Sequence, residues 1–280
     1  MWFFGRGPVV PVLRFSGTIG MVTPLRPGLS LGHCAQAIEK AFEMSKLPTV
    51  AVIINSPGGS PVQSSLIYQR IRQLAQEKSK TVYVFCEDVA ASGGYYLALA
   101  GDEIYSDASS IVGSIGVISA SFGFDKAIER LGIARRVHTS GEAKDALDPF
   151  QPERAEDVER LKALQRDVHD VFIGVVKERR AGRLKGADAE LFSGAFWSGP
   201  RAMELGLIDG ISDVRSKMRE LHGEEVRLRL VPMGGGGLLS RFRKSSGVYG
   251  YKDLTRGRLA FAEDLISAIE TRAVWSRFGF

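Results

Sequence analysis

Cysteine is nearly missing from this chain: two in 280 residues, Cys34 and Cys86, far apart and in no CxxC pair. That excludes a disulfide framework. Only four histidines are present, none at metal-ligand spacing from a cysteine, so no zinc site is indicated and no cofactor is called for. Long apolar runs are missing too. The start, Met1-Trp-Phe-Phe-Gly-Arg-Gly-Pro, is apolar for only three residues after Met1, too short for a signal-peptide core or an anchor. On that ground the chain is expected to be cytoplasmic or peripheral to a membrane. The uncharged stretch 108–124 is interrupted by serines and glycines and reads as buried loop and strand rather than a lipid-spanning helix. No nucleic-acid motif is present, and no internal repeat is apparent.

What remains is an ordinary soluble composition, 44% hydrophobic and 25% charged, in a chain long enough to bury a substantial core. The net charge of +5 is unevenly spread. Residues 215–258 hold eleven Lys or Arg against four acids, leaving the rest slightly acidic. A basic tail of this kind suits a solvated extension, and it leaves peripheral contact with anionic lipid open. The glycines at 234–237 mark a linker. The expected division is a catalytic domain over 1–230 and a basic extension over 231–280 with an amphipathic helix at 259–274.

Strand-like and helical runs alternate along the body, the pattern of an α/β fold. Strand character over 8–17 precedes a helix at 31–44, for which Ser30 is the expected N-cap. The apolar run 49–54 suits a strand buried on both faces. Ser60 and Pro61 then open a helix to about 77, with Leu66, Ile67, Ile71 and Leu74 as its apolar stripe. A second buried strand at 81–86, a short helix at 95–100, and short strands at 103–105, 116–119 and 134–138 follow. A helix is expected at 125–131, and a long one over 152–180 with Val158, Leu161, Leu164, Val168 and Phe172 on its core face. Strand, glycine turn, helix, strand repeats imply right-handed crossovers and a mainly parallel sheet.

Ser92 is the sharpest chemical signal. It lies between Ala90-Ala91 and Gly93-Gly94, just past a buried strand and at the opening of a helix. Small neighbours let a substrate approach the backbone, and the first amides of a helix point their positive end at a developing oxyanion. A serine before two glycines is also a common helix cap. The pair Gly58-Gly59 ends the preceding buried strand, where α/β sheets present ligand sites. An amide there could face that of Gly93 across a substrate carbonyl. A serine nucleophile needs a base. His33 and His169 fall on expected helices, His222 near the basic tail, and His138 after a strand; each reads as packing or surface. Lys144, in Ser140-Gly-Glu-Ala-Lys-Asp145, is the other option, since lysine serves as a general base where burial keeps its amine neutral.

Four motifs occur in order: Asn55-Ser-Pro-Gly-Gly59, Asp88-Val-Ala-Ala-Ser-Gly-Gly-Tyr-Tyr96, Gly113-Ser-Ile-Gly116 and Ser140-Gly-Glu-Ala-Lys-Asp145. Together they resemble the signal peptide peptidase family of Ser/Lys serine proteases, peptidase family S49, in its short single-domain form, over residues 10–214. The resemblance implies Ser92 as nucleophile and Lys144 as general base. It further implies Ser114 as the hydroxyl that orients the lysine, and the amides of Gly59 and Gly93 as the oxyanion hole. It implies a crotonase-like fold shared with the Clp protease, a spiral of ββα units. It also implies a homo-oligomer whose nucleophile and lysine come from neighbouring subunits, acting on apolar or unfolded peptides such as remnant signal peptides in a pocket lined by segments such as 111–124. Two other readings stay open: a crotonase-type acyl-CoA enzyme, and a non-catalytic peptide-binding scaffold of the same fold.

Overall fold

A computed structural model describes residues 7–20, 28–233 and 272–279. In chain order the elements begin β1 (Val9–Ser16), α1 (Leu31–Glu43), β2 (Thr49–Ser56), α2 (Pro61–Glu77), β3 (Thr81–Ala91), α3 (Gly93–Ala98), β4 (Glu103–Ser106) and β5 (Ile111–Gly113). They continue α4 (Asp125–Arg130), α5 (Ala155–Arg179), α6 (Asp188–Leu191), β6 (Phe196–Ser198), α7 (Gly199–Glu204), β7 (Gly210–Ile211), α8 (Val214–His222) and β8 (Arg227–Leu230). The fold is α/β with a mainly parallel sheet, as the alternation of patterns predicts.

The sheet runs β6-β5-β3-β2-β1-β8, with β4 beside β3 and β7 beside β4. Every pairing is parallel except β5 with β6. Strand β3 is the spine. One of its edges pairs with β2, while the other pairs first with β4 through Tyr83–Cys86 and then with β5 through Val89–Ala91. A register shift between Ile54 and Ser56 lets β2 follow it past the handover. Ser110 Oγ donates to the Cys86 carbonyl at 3.1 Å, just where β3 changes partner.

The apolar runs of β2 and β3 fill with Val50, Val52, Ile54, Val82 and Val84, all fully buried, as strands covered on both faces require. Helices α1 and α2 lay Ile38, Phe42, Ile67 and Ile71 on them. The start of α2 follows expectation: Ser60 Oγ accepts from the Gln63 amide and Pro61 stands in the first turn. Ser30 occupies the N-cap position of α1 but makes no side-chain cap. Gln63 Oε1 accepts from the Leu31 amide at 2.9 Å instead, so α2 caps α1.

Several expectations are corrected. The strand placed at 116–119 is found instead as β5, beginning five residues earlier, and 134–138 forms no strand. The stretch 108–124 is buried only in part: Ile118 and Phe122 are 67% and 80% exposed. Leu66 leaves the stripe of α2 and stands partly exposed. Along α5 only Asp157, Phe172 and Val176 are buried, and Leu164 faces solvent. The helix predicted at 259–274 lies outside the described residues except for 272–274, which are helical. Most of the basic extension likewise lies outside them.

One buried ion pair ties the helical layer to the sheet. Arg180, 1% exposed, holds Asp209 through two nitrogens at 2.7 and 3.1 Å, and its Nε donates to the Gly206 carbonyl at 2.9 Å. Asp209 also accepts from the Ile104 amide at 2.7 Å, at the start of β4. Removing the carboxylate strands a buried guanidinium, so Asp209→Ala is expected to cost about 3 kcal/mol in urea unfolding. Lys162→Ala, on an exposed pair with Glu159, is expected to leave the midpoint unchanged.

Candidate active site

Three parallel neighbours, β2, β3 and β5, end at the same edge of the sheet, and each ends in one of the sequence motifs. Ala91 of β3 is in register with Gly113 of β5, so the next residues, Ser92 and Ser114, leave the sheet side by side. This register, rather than any sequence spacing, brings them together. Both take the left-handed backbone region that side chains disfavour, with φ of 52° and 54°. The Ser92 amide donates to the Gly113 carbonyl at 2.8 Å, and the Ser114 amide donates to Ala195 at 2.7 Å.

Ser92 alone makes the turn from β3 to α3. Its ψ of −121° completes a conformation costing on the order of 1–3 kcal/mol, which persists only where the surroundings over-determine it. Its carbonyl accepts the first helical bond, from Tyr96, at 2.9 Å. Its side chain makes no cap bond, so the helix-cap reading is not what the hydroxyl does. The strain is held by crowding. A Cβ on Gly58 would lie 2.8 Å from the Gly93 nitrogen and 2.9 Å from the Ser92 Cβ. A Cβ on Gly93 would lie 2.5 Å from Ser64 Oγ and 3.3 Å from the Gly59 nitrogen. The two glycine turns touch, and only hydrogen-for-methyl economy lets them do so.

The turn after β2 is fixed from its other side. The Ile19 amide donates to Gly58 and the Ser60 amide donates to Ile19, both at 2.9 Å, bracketing Gly59. Asn55 braces the base of the turn: its Nδ2 donates to Asp88 at 2.6 Å and its Oδ1 accepts from the Val89 amide at 3.3 Å. Among the described residues the amides of Gly59 and Gly93 have no protein acceptor. Two such donors set beside one hydroxyl suit a tetrahedral oxyanion.

Two cavities that share Gly59, Ser92 and Gly116 in their walls open here. One, of about 630 Å³, is lined by Ser92, Ser114, Gly59 and Gly116 together with His169 and Phe278. The other, of about 270 Å³, is an apolar cleft beside Ser92 and Gly93, walled by Val62, Leu66, Tyr96, Val168 and Phe172. Of the expected lining segment 111–124, only Ser114, Gly116, Val117 and Ile118 reach these cavities. Leu66 and Val168, read as core, are cleft residues. His169, read as packing or surface, reaches the Ile115 carbonyl with Nε2 at 3.0 Å and borders the serine pair. Nothing in its helical spacing signals that position.

Lys144 is elsewhere. It is exposed, on a turn where its amide donates to the Gly141 carbonyl at 3.2 Å, and it lines neither cavity. The arm that carries it is held by its own charges: Arg154 pairs with Asp145 at 2.9 Å and with Asp157 at 2.7 Å. That guanidinium keeps the Asp157 carboxyl below the usual carboxylate range. Within a single chain, then, the structure joins Ser92, Ser114, Gly59 and Gly93 and leaves Lys144 apart.

The two thiols are not competing nucleophiles. Burial pushes Cys34 up to about 11 and Cys86 up to about 12, so both stay protonated near neutrality. Neither is expected to react with a thiol reagent in the native protein at pH 8, and both are expected to react in urea; stoichiometric labelling without denaturant contradicts this. Gly58→Ala forces a methyl against Ser92 at φ 105°, and is expected to lower stability by at least about 2 kcal/mol in the same urea titration.

Residues 74–227 match the peptidase family S49. A protein of Brucella abortus named Na(+)/H(+) antiporter NhaA is 53% identical over 272 residues, covering 96% of this chain but 37% of that protein. The chain thus spans little more than a third of that relative. Among the described residues no helix is long and apolar enough to cross a membrane. The chloroplastic serine protease SPPA of Arabidopsis thaliana is 32% identical over 210 residues, 72% of this chain and 30% of its own length. The putative signal peptide peptidase SppA of Enterococcus faecium is 28% identical over 188 residues, 67% of this chain and 54% of its own. The matched region carries Ser92, Ser114 and Lys144 together with the glycine turn at Gly93, and on these findings the chain belongs to peptidase family S49.

Proposed function

We propose that this peptidase is a serine endopeptidase in which Ser92 is the nucleophile and Lys144 of a neighbouring copy is the general base. The observation that carries the reading is the strained Ser92, whose uncapped hydroxyl stands beside the amides of Gly59 and Gly93. Ser92 Oγ attacks the scissile carbonyl carbon as its proton passes to the neutral Lys144 amine. The carbonyl oxygen, now anionic, accepts hydrogen bonds from the two glycine amides. Collapse of this intermediate expels the amine fragment, which takes the proton back from Lys144. Water, deprotonated by the same lysine, then releases the acyl group and regenerates Ser92. Ser114, beside Ser92 through the strand register, orients the incoming lysine.

The lysine has to arrive from outside the subunit, because in its own subunit it stands on an exposed arm. That arm and its surroundings present Ile118, Phe122, Leu131 and Ile133 to solvent, at 67%, 80%, 72% and 55% exposure. Apolar surface of this extent on a soluble body is what a second copy would cover. The apolar cleft next to Ser92 favours peptides with an apolar side chain at the cleavage point, of which a remnant signal peptide is one instance.

Ser92→Ala and Lys144→Ala are each expected to lower kcat/KM on an apolar fluorogenic peptide by at least about 10³-fold. Mixing the two inactive proteins, after dissociation and reassembly, is expected to restore activity, since mixed assemblies contain intact Ser92/Lys144 pairs. His169→Gln is expected to cost less than about tenfold. Loss of activity in His169→Gln with full activity in Lys144→Ala overturns the assignment of the base.

A further inference from the structure

The turn that carries Lys144 is shaped by local bonds. The Lys144 amide donates to Gly141 at 3.2 Å, that of Ala146 to Ala143 at 3.3 Å and that of Asp148 to Asp145 at 3.1 Å. Leu147 closes the turn in the left-handed backbone region, with φ of 58°. Arg135 pairs with Asp148 at 3.1 Å, but it belongs to the arm itself. The tie to a long regular element is Arg154, which stands at the N-cap position of α5 and makes no cap bond there. It forks instead: Nη2 donates to Asp145 at 2.9 Å and Nε donates to Asp157 at 2.7 Å. Asp145 is bonded directly to Lys144, and Asp157 belongs to the first turn of α5 with its side chain only 5% exposed.

Asp157 also accepts from Arg160 at 3.0 Å and from the Leu147 amide. The lysine turn is therefore moored to one buried carboxylate at two points, at Asp145 through Arg154 and at Leu147 directly. Helix α5 then runs unbroken for 25 residues and carries His169 and Phe172, which border the cavities. With its side chain 45% exposed, Arg154 adds little to stability through these pairs. What the fork supplies is geometry, since a planar guanidinium holds two carboxylates in one fixed orientation. We infer that Arg154 is a positioning residue: by clasping Asp145 to Asp157 it sets where the Lys144 amine stands when it meets Ser92 of a neighbouring copy, a role that rests on the reading of Lys144 as the base. Arg154 touches no reacting atom. A base displaced by about 1 Å can lose on the order of 10²-fold in rate, and the loss belongs to the copy that donates the lysine rather than to the copy that donates the serine.

The test uses the assembled full-length chain and an apolar fluorogenic peptide. Arg154→Gln and Asp145→Asn are each expected to lower kcat by about tenfold to 10²-fold, with KM changed by less than about twofold. Arg154→Gln leaves Asp157 partnered by Arg160 and Leu147, and Asp145→Asn leaves the whole Asp157 end in place, so neither strands a buried charge. Arg160→Gln, which shares Asp157 but does not reach Asp145, is expected to match wild type. Mixed assemblies then locate the effect, because Ser92→Ala copies supply only the lysine and Lys144→Ala copies only the serine. Arg154→Gln added to the Ser92→Ala copies is expected to lower the restored activity by the same factor; added to the Lys144→Ala copies, it is expected to leave that activity unchanged. Equal losses from the two placements, or an equal loss in Arg160→Gln, assign Arg154 to the fold alone and overturn the positioning role while Lys144 remains the base. Full activity in Lys144→Ala overturns the base, and with it the catalytic role of Arg154. Hydrogen exchange over 140–147 then decides the clasp itself: faster exchange in Arg154→Gln than in Arg160→Gln upholds it, and equal exchange overturns it.

Discussion

One residue makes the turn between the longest strand of the sheet and the helix that follows it, and the site depends on that turn. Ser92 has left-handed φ because β3 ends at Ala91 and α3 begins at Gly93, so no second residue is available to share the change of direction. The conformation is maintained from three sides: the Gly113 carbonyl holds its amide, Tyr96 holds its carbonyl, and the Gly58 turn crowds its Cβ. A hydroxyl in that position is pushed out of the helix and away from capping. The glycines beside it are required by contact as much as by conformation, since each approaches backbone that a methyl group would displace.

Parallel pairing explains why the parts converge. Strands β2, β3 and β5 are neighbours, and in a parallel sheet neighbours finish at one edge, which is where ligands bind in α/β folds. The glycine turn, Ser92 and Ser114 each follow the end of one of these strands. Lys144 follows none of them. It sits on an arm stabilised by Arg154 and its acidic partners, largely independent of the sheet. A catalytic base carried on such an arm becomes part of a site only when subunits assemble, which makes activity contingent on oligomer formation in the proposed mechanism.

Much of this was legible in the residues. The continuous apolar runs of β2 and β3, the Ser60-Pro61 helix start, and the two glycine turns each have a local physical cause that spacing reveals. Contacts between distant segments do not. Gln63 caps α1 from another helix, and Leu66 and Val168 look like core residues in a helical pattern yet wall a cleft. The Val117-Ile118 pair looks more strand-like than Ile111–Gly113, but the latter lies in register with the end of β3 and becomes β5. The apolar face read along α5 is genuine as a pattern, but within the chain only its C-terminal turns bury apolar side chains, Phe172 and Val176. Phe278 carries no local signal at all; its burial depends on a notch built from residues more than eighty positions away.

The central claim is that Ser92, among all the serines of the chain, is the activated nucleophile. Covalent labelling of the assembled wild-type protein with a fluorophosphonate, followed by peptide mapping, tests it most directly. The account predicts a single phosphonyl adduct on Ser92 that disappears when Lys144 is replaced by alanine. An adduct on Ser114 or another serine, or labelling of Ser92 that is indifferent to Lys144, contradicts it.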